Sequence, residues 1–105
     1  MTPDRTKHGS SQAAYIWLHG STNPDIYLAL VSELSGISQR DILGTSRAQE
    51  IMRARQLLYA VLRGVGWSYP RIGKFVGRDH TSVMSGVKQV PEQAVREILD
   101  LAKVD

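Results

Sequence analysis

Apolar residues recur along this chain at helical spacing, and nowhere do they alternate for long enough to predict a strand. Asn23-Pro24 is a helix start, an amide-accepting cap followed by a proline that the first turn tolerates. Ile26, Leu30, Val31 and Leu34 then make one apolar stripe, and Gly36 stops it. Ser38 to Asp41 has the form of a capping box that opens a short second helix through Leu43, with Gly44 ending it. A second box, Ser46-Arg47-Ala48-Gln49, precedes the longest predicted helix, which runs to about Arg63. Ile51, Ala54, Leu58 and Val61 fall on one face of it, widened by Met52, Leu57 and Leu62, and Gly64 and Gly66 break it. Ser68 caps the next helix, whose apolar face is Tyr69, Ile72, Phe75 and Val76 and whose stop is Gly77. Another begins near Asp79 or His80 and reaches about Gln89, with Val83 and Val87 inward. Pro91 opens the last, where Val95, Ile98, Leu99 and Ala102 form a stripe. The expected class is all-α, a compact helical domain over residues 23–105.

The chain before it reads differently. Residues 1–22 are predicted to be an N-terminal tail, mostly disordered, because positions 1–12 are polar and lack periodicity. Ala13–Gly20, AAYIWLHG, is a short apolar island within that tail. Docking back on the domain is the reading taken here. The alternative is a segment that binds a partner protein.

Length and composition narrow the classes. A chain of 105 residues, 42% hydrophobic and 22% charged, is one ordinary globular domain. The absence of cysteine excludes disulfides and thiolate metal sites and points to a reducing, intracellular compartment. No apolar run approaches the roughly 20 residues of a membrane helix, and the N-terminus lacks a signal-peptide core, so the expected location is cytoplasmic. The net charge of +3 is unevenly placed. Residues 37–90 hold nine Lys/Arg against three Asp/Glu, while both flanks are net negative. A positive segment of this kind is the footprint of a polyanionic partner.

The predicted helices 69–76 and 80–89, joined across Gly77, have the sequence form of a helix-turn-helix. Gly73 inside the first costs roughly 1 kcal/mol relative to alanine, a cost that close approach of another helix would explain. The second helix opens with Arg78-Asp79-His80-Thr81-Ser82, five hydrogen-bonding side chains in a row. In a helix-turn-helix that end meets base edges in the DNA major groove, and its free amides favour phosphate. Asp79 can cap the helix and accept from a cytosine amino group. His80 can donate or accept, and Thr81 offers a hydroxyl and a methyl suited to thymine. Arg78 and Ser82 can reach phosphate or base. The plainer alternative is a capping Asp79 beside solvated neighbours; the basic surroundings favour DNA. Arg53 and Arg55 lie two apart, so they diverge by about 200° on a helix, and one can reach a minor groove or a phosphate while the other forms an ion pair.

Catalysis finds no support. There is no phosphate-binding loop of the G-x-x-x-x-G-K-[ST] type. His8, His19 and His80 lack metal-ligand spacing. Asp79 and His80 are adjacent, so their side chains diverge on a helix rather than forming an acid–base pair. No catalytic residue, metal or cofactor is expected.

The segment Arg71-Ile72-Gly73-Lys74-Phe75-Val76-Gly77-Arg78-Asp79-His80-Thr81-Ser82-Val83 resembles the signature of DnaA, the bacterial chromosomal replication initiator. Arg53-Ala54-Arg55-Gln56 is similar to the family's R-x-R-Q segment, and the likeness extends over roughly residues 24–90. The resemblance implies a helical C-terminal DNA-binding domain that reads a short, A·T-rich box. Carried over by position, it implies major-groove readers at Asp79, His80 and Thr81 and a minor-groove arginine at Arg55. It implies phosphate or base neighbours at Arg78, Ser82 and Lys88. The resemblance also places Arg47, Arg63, Arg71 and Lys74 in segments that flank the DNA backbone, and Ser85 is counted with these backbone or base-flanking positions. Departures are Val76 for a glycine, Ser82 for a threonine, Ser85 for a histidine and Gly86 for an alanine; Ser85 and Gly86 lie along the recognition helix.

The initiator's ATPase and N-terminal domains have no counterpart in this sequence. The expectation is a stand-alone DnaA-like protein of a bacterium, phage or mobile element, associated with the nucleoid. It is expected to bind double-stranded DNA as a monomer and to modulate replication initiation or transcription. The host initiator or another protein is a candidate partner for the N-terminal segment. The rival reading, motivated by Ser85, Gly86 and the Ala13–Gly20 island, is a protein-interaction adaptor that kept the fold and lost specific DNA binding.

Overall fold

The computed structural model describes residues 23–102. The N-terminal tail and its apolar island lie outside the described residues. Within them the chain forms α1 (Pro24–Ser35), α2 (Gln39–Ile42), α3 (Gln49–Val65), α4 (Tyr69–Val76), α5 (His80–Lys88) and α6 (Glu92–Leu101), with no strand among the described residues. Local chemistry sets most of the boundaries. Asn23 accepts from the Asp25 amide at 3.0 Å, Ser38 from Asp41 at 3.0 Å and Ser68 from Arg71 at 3.2 Å, each satisfying an orphan N–H of a first turn.

The start of α3 differs from the capping-box expectation. Ala48 is the N-cap and makes no side-chain bond, while the Ser46 hydroxyl accepts from the Ala48 amide at 3.2 Å in the loop before it. The helix also runs through Gly64 to Val65 and ends at Gly66. Gly64 does not break it because α6 packs there: a Cβ on Gly64 would stand 3.1 Å from Val95 Cγ1. The stripe expected on α1 is shifted as well. Tyr27, Leu28 and Val31 are buried, whereas Ile26 and Leu34 are exposed. Tyr27 turns its ring inward and so takes the place assumed for its neighbours.

The long helix α3 is the axis of the domain. It packs against every other described helix, and α4 and α5 pack on each other. Leu58, Val61, Leu62 and Val65 of α3 meet Tyr27 and Val31 of α1, Ile42 of α2, Ile72 of α4, Val83 of α5 and Ile98 of α6 in one apolar cluster. Burying a side chain of this size is worth about 1.5–3 kcal/mol. The cluster therefore holds α5 firmly against α3 and leaves the outer face of α5 free.

Candidate nucleic-acid interface

The turn between α4 and α5 is built on two glycines. Gly77 has φ 72°, a left-handed conformation that favours glycine, and its amide bonds back to the Gly73 carbonyl. The Arg78 amide donates to the same oxygen at 2.9 Å. Gly73 is needed because the chain returns directly over it: a Cβ there would stand 2.5 Å from the Arg78 carbonyl oxygen and 3.5 Å from the His80 nitrogen. The close approach inferred for Gly73 is thus real, but the neighbour is the turn leading into α5 rather than the side of another helix. Val76, which replaces a glycine of the resemblance, is buried, and Gly77 alone supplies the left-handed residue.

The amino end of α5 faces outward. Asp79 caps it, its carboxylate accepting from the Thr81 amide at 3.3 Å and, through the same Oδ2, from the Thr81 hydroxyl. The hydroxyl bond, the larger effect, and the amide bond hold the Asp79 carboxyl below the ordinary carboxylate range. Asp79 Oδ1 lies 3.9 Å from His80 Nδ1, and both side chains are more than half exposed. Asp79, His80 and Thr81 are thus all exposed at this end.

An open cleft of about 1520 Å³ runs between α5 and the amino-terminal half of α3. Arg47, Arg53, Gln56, Arg78, Ser82 and Ser85 are among its lining residues, and none of the lining residues is acidic. Arg47, Arg53, Ser82 and Ser85 are exposed. The site residues expected from the sequence divide into four groups, of which Asp79, His80 and Thr81, at the amino end of α5, are exposed and do not line the cleft. Arg47, Arg55, Arg78, Ser82 and Ser85 converge on this cleft. Arg63 and Arg71 do not line it: Arg63 lies over the Tyr69 ring at 4.4 Å and donates to the Trp67 carbonyl at 3.0 Å, and Arg71 lies over Trp67 at 3.9 Å. Lys74 and Lys88, in the last turns of α4 and α5, are exposed outside it.

Arg55 corrects the sequence-based assignment. It was expected in a minor groove, but it is 7% exposed and points into the domain. Its Nε donates to the Ile42 carbonyl at 2.7 Å, Nη1 to Ser46 at 2.9 Å and Nη2 to Asp41 at 3.0 Å. Two of these acceptors are the last carbonyls of α2, which a cation suits. Burial, and then the nearby Arg78 charge, lower its pKa. The expected divergence of Arg53 and Arg55 holds, with Arg53 outward. The inward partners, however, are carbonyls rather than a carboxylate.

Sequence reasoning also missed Tyr59 and the contacts made by Gly44 and Gly86. Arg78 Nη2 donates to the Gly44 carbonyl, tying the turn before α5 to the loop after α2. Tyr59 is buried between α3 and α5, and a Cβ on Gly86 would stand 2.8 Å from its Cδ2. Burial raises the Tyr59 pKa, opposed by the Arg78 and Arg55 charges. The signal for Arg55 was present in the sequence: Leu58, Tyr59 and Leu62 follow it at the spacing of one helix face.

These features define a helix-turn-helix domain whose second helix presents a polar amino end beside a basic cleft. The model of the bacterial DnaA protein helix-turn-helix matches residues 25–90. The chain belongs to that family. It is 44% identical over 63 residues to the chromosomal replication initiator protein DnaA of Picosynechococcus sp., covering 58% of this chain and 14% of that protein. It is 36% identical over 86 residues to the DnaA of Gloeothece citriformis, covering 80% and 19%. The corresponding figures for the DnaA of Cutibacterium acnes are 39% over 69 residues, 64% and 14%. The chain thus spans less than a fifth of the length of these relatives. No solved structure gives a significant match. No described helix is long and apolar enough to cross a membrane.

Proposed function

We propose that this domain binds double-stranded DNA sequence-specifically, at a site similar to the boxes read by replication initiators, and acts by occupancy rather than catalysis. The observation that carries the reading is the exposed amino end of α5 beside an acid-free basic cleft. In the bound state α5 lies in the major groove. Asp79 Oδ1 accepts from a cytosine amino group, His80 bonds a base edge, and the Thr81 methyl meets a thymine methyl. Ser82 and Ser85 follow on the cleft side of the same helix. Arg47 and Arg53, the outward cations on the α3 side, meet the sugar–phosphate backbone, the role that the inward Arg55 cannot fill. Arg63 and Arg71, stacked on Tyr69 and Trp67, present ordered charge on a second surface for a flanking phosphate. Lys74 and Lys88 extend the positive rim.

Occupying such a site modulates replication initiation, or transcription from an overlapping promoter. The adaptor reading drew partly on Gly86, and the Tyr59 ring accounts for that residue by packing. The test is anisotropy titration of a labelled box duplex and a scrambled duplex across a salt series. Preference for the box, with affinity falling steeply as salt rises, is the expected result. Equal affinity for both duplexes at every salt concentration would remove the specific reading.

A further inference from the structure

The cleft wall that carries Arg47 is the loop from Leu43 to Ala48, between α2 and α3. Within it, the Gly44 amide donates to Asp41 at 3.1 Å and the Ala48 amide to the Ser46 hydroxyl at 3.2 Å. The carbonyls along and beside this loop are held from outside it. Arg55 reaches those of Asp41, Ile42 and Ser46 from α3. Arg78 reaches that of Gly44 from the turn, one residue before the cap of α5.

We propose that Arg55 and Arg78 are positioning residues: they fix the 43–48 loop, and with it Arg47, against the reading end of α5, and so act on DNA binding through Arg47. The inference rests on the DNA-binding reading above. Three observations carry it. Arg55 is buried and spends its three nitrogens on carbonyls, so contacting a phosphate would take the side-chain donor away from the Ile42 and Ser46 carbonyls and leave Asp41 with the Gly44 amide alone. The guanidinium plane spans acceptors in three directions, which a lysine ammonium on its flexible stem does not reproduce. The two arginines hold the loop from two different elements, Arg55 from the central helix and Arg78 from the helix-turn-helix, so loop and reading helix are coupled. Arg47, on that loop, is exposed.

The experiment has two arms and uses the full chain. The sequence contains no cysteine, so Thr45→Cys gives a unique attachment point for a nitroxide spin label. Without DNA, Arg78→Ala and Arg55→Lys should each sharpen the spectrum of that label while the helical circular dichroism is retained. Unchanged label mobility would overturn the brace. In the second arm, box affinity is measured for Arg47→Ala, Arg78→Ala and the double variant. Each single change should weaken binding about tenfold, the size of one charge-assisted contact. The double variant should match the weaker single one within about twofold. Losses that multiply, or an Arg47→Ala variant that binds as tightly as the parent, would overturn action through Arg47. Should Arg55→Lys fail to fold, the half-buried Arg78 carries both arms. A parent protein that prefers no box sinks the DNA reading, and the proposed action through Arg47 with it, while the label still decides whether the loop is braced.

Discussion

At the scale of single residues, two glycines reverse what helix propensity predicts. Replacing a helical glycine by alanine normally gains about 1 kcal/mol. At Gly73 the added methyl would meet a backbone oxygen that cannot rotate away. Gly73→Ala is therefore expected to lower stability by about 1–3 kcal/mol, the usual range for overpacking, read as a shift of the urea midpoint at constant slope. At Gly86 the obstacle is the buried Tyr59 ring, so Gly86→Ala should also destabilise, and Tyr59→Leu in the same chain should recover part of the loss. Neighbours that share a contact do not add, and additive effects would show that the ring and the glycine are independent. On the proposed DNA-binding function, His80 serves recognition instead. Its exposed side chain supports no core contact, so His80→Ala should leave the melting temperature nearly unchanged. It should cost about 1–3 kcal/mol of discrimination between box and scrambled duplex. Equal loss on both duplexes would assign His80 to the backbone.

At the scale of elements, caps and stops were the most legible part of the sequence. Asn23, Ser38 and Ser68 act as side-chain caps, and Gly36 and Gly77 terminate their helices. A cap is a contact between residues two or three apart, so sequence proximity alone brings its partners together. Ser46 misled because its hydroxyl accepts from the Ala48 amide inside the loop, while Ala48 starts the helix. The Asp79 cap also sets a pH dependence. Its carboxyl is depressed in the folded state, chiefly by the Thr81 hydroxyl. A depressed acid stabilises the fold above its unfolded-state pKa, and that contribution is lost as pH falls through the folded-state value. Asp79→Asn, which keeps a cap oxygen but cannot ionise, should flatten the acid limb of melting temperature against pH. An acid limb identical to that of the parent would place the acid sensitivity elsewhere.

At the scale of the whole molecule, the charge distribution matters more than the net charge. The basic segment of residues 37–90 is split by folding into an outward set and an inward set. Arg47 and Arg53 face solvent, Arg63 and Arg71 rest on aromatic rings, and Arg55 and Arg78 bind carbonyls of the domain itself. Only the outward cations release counterions on binding DNA, so the salt dependence should count fewer phosphates than the sequence has arginines. Arg53→Ala should reduce the slope of log affinity against log salt by about one while leaving box preference intact. An unchanged slope would place Arg53 away from phosphate.

The sequence by itself determined the helical class, the order of the elements, the helix-turn-helix and the polar amino end of its second helix. All of these follow from periodicity and from contacts a few residues apart. The tertiary structure decided which arginines are available to a ligand. A guanidinium looks the same in a sequence whether it meets a phosphate or a carbonyl thirteen residues away. For Arg55 the choice is made by α2 ending against α3, where the orphan carbonyls of a four-residue helix lie within reach of a buried cation.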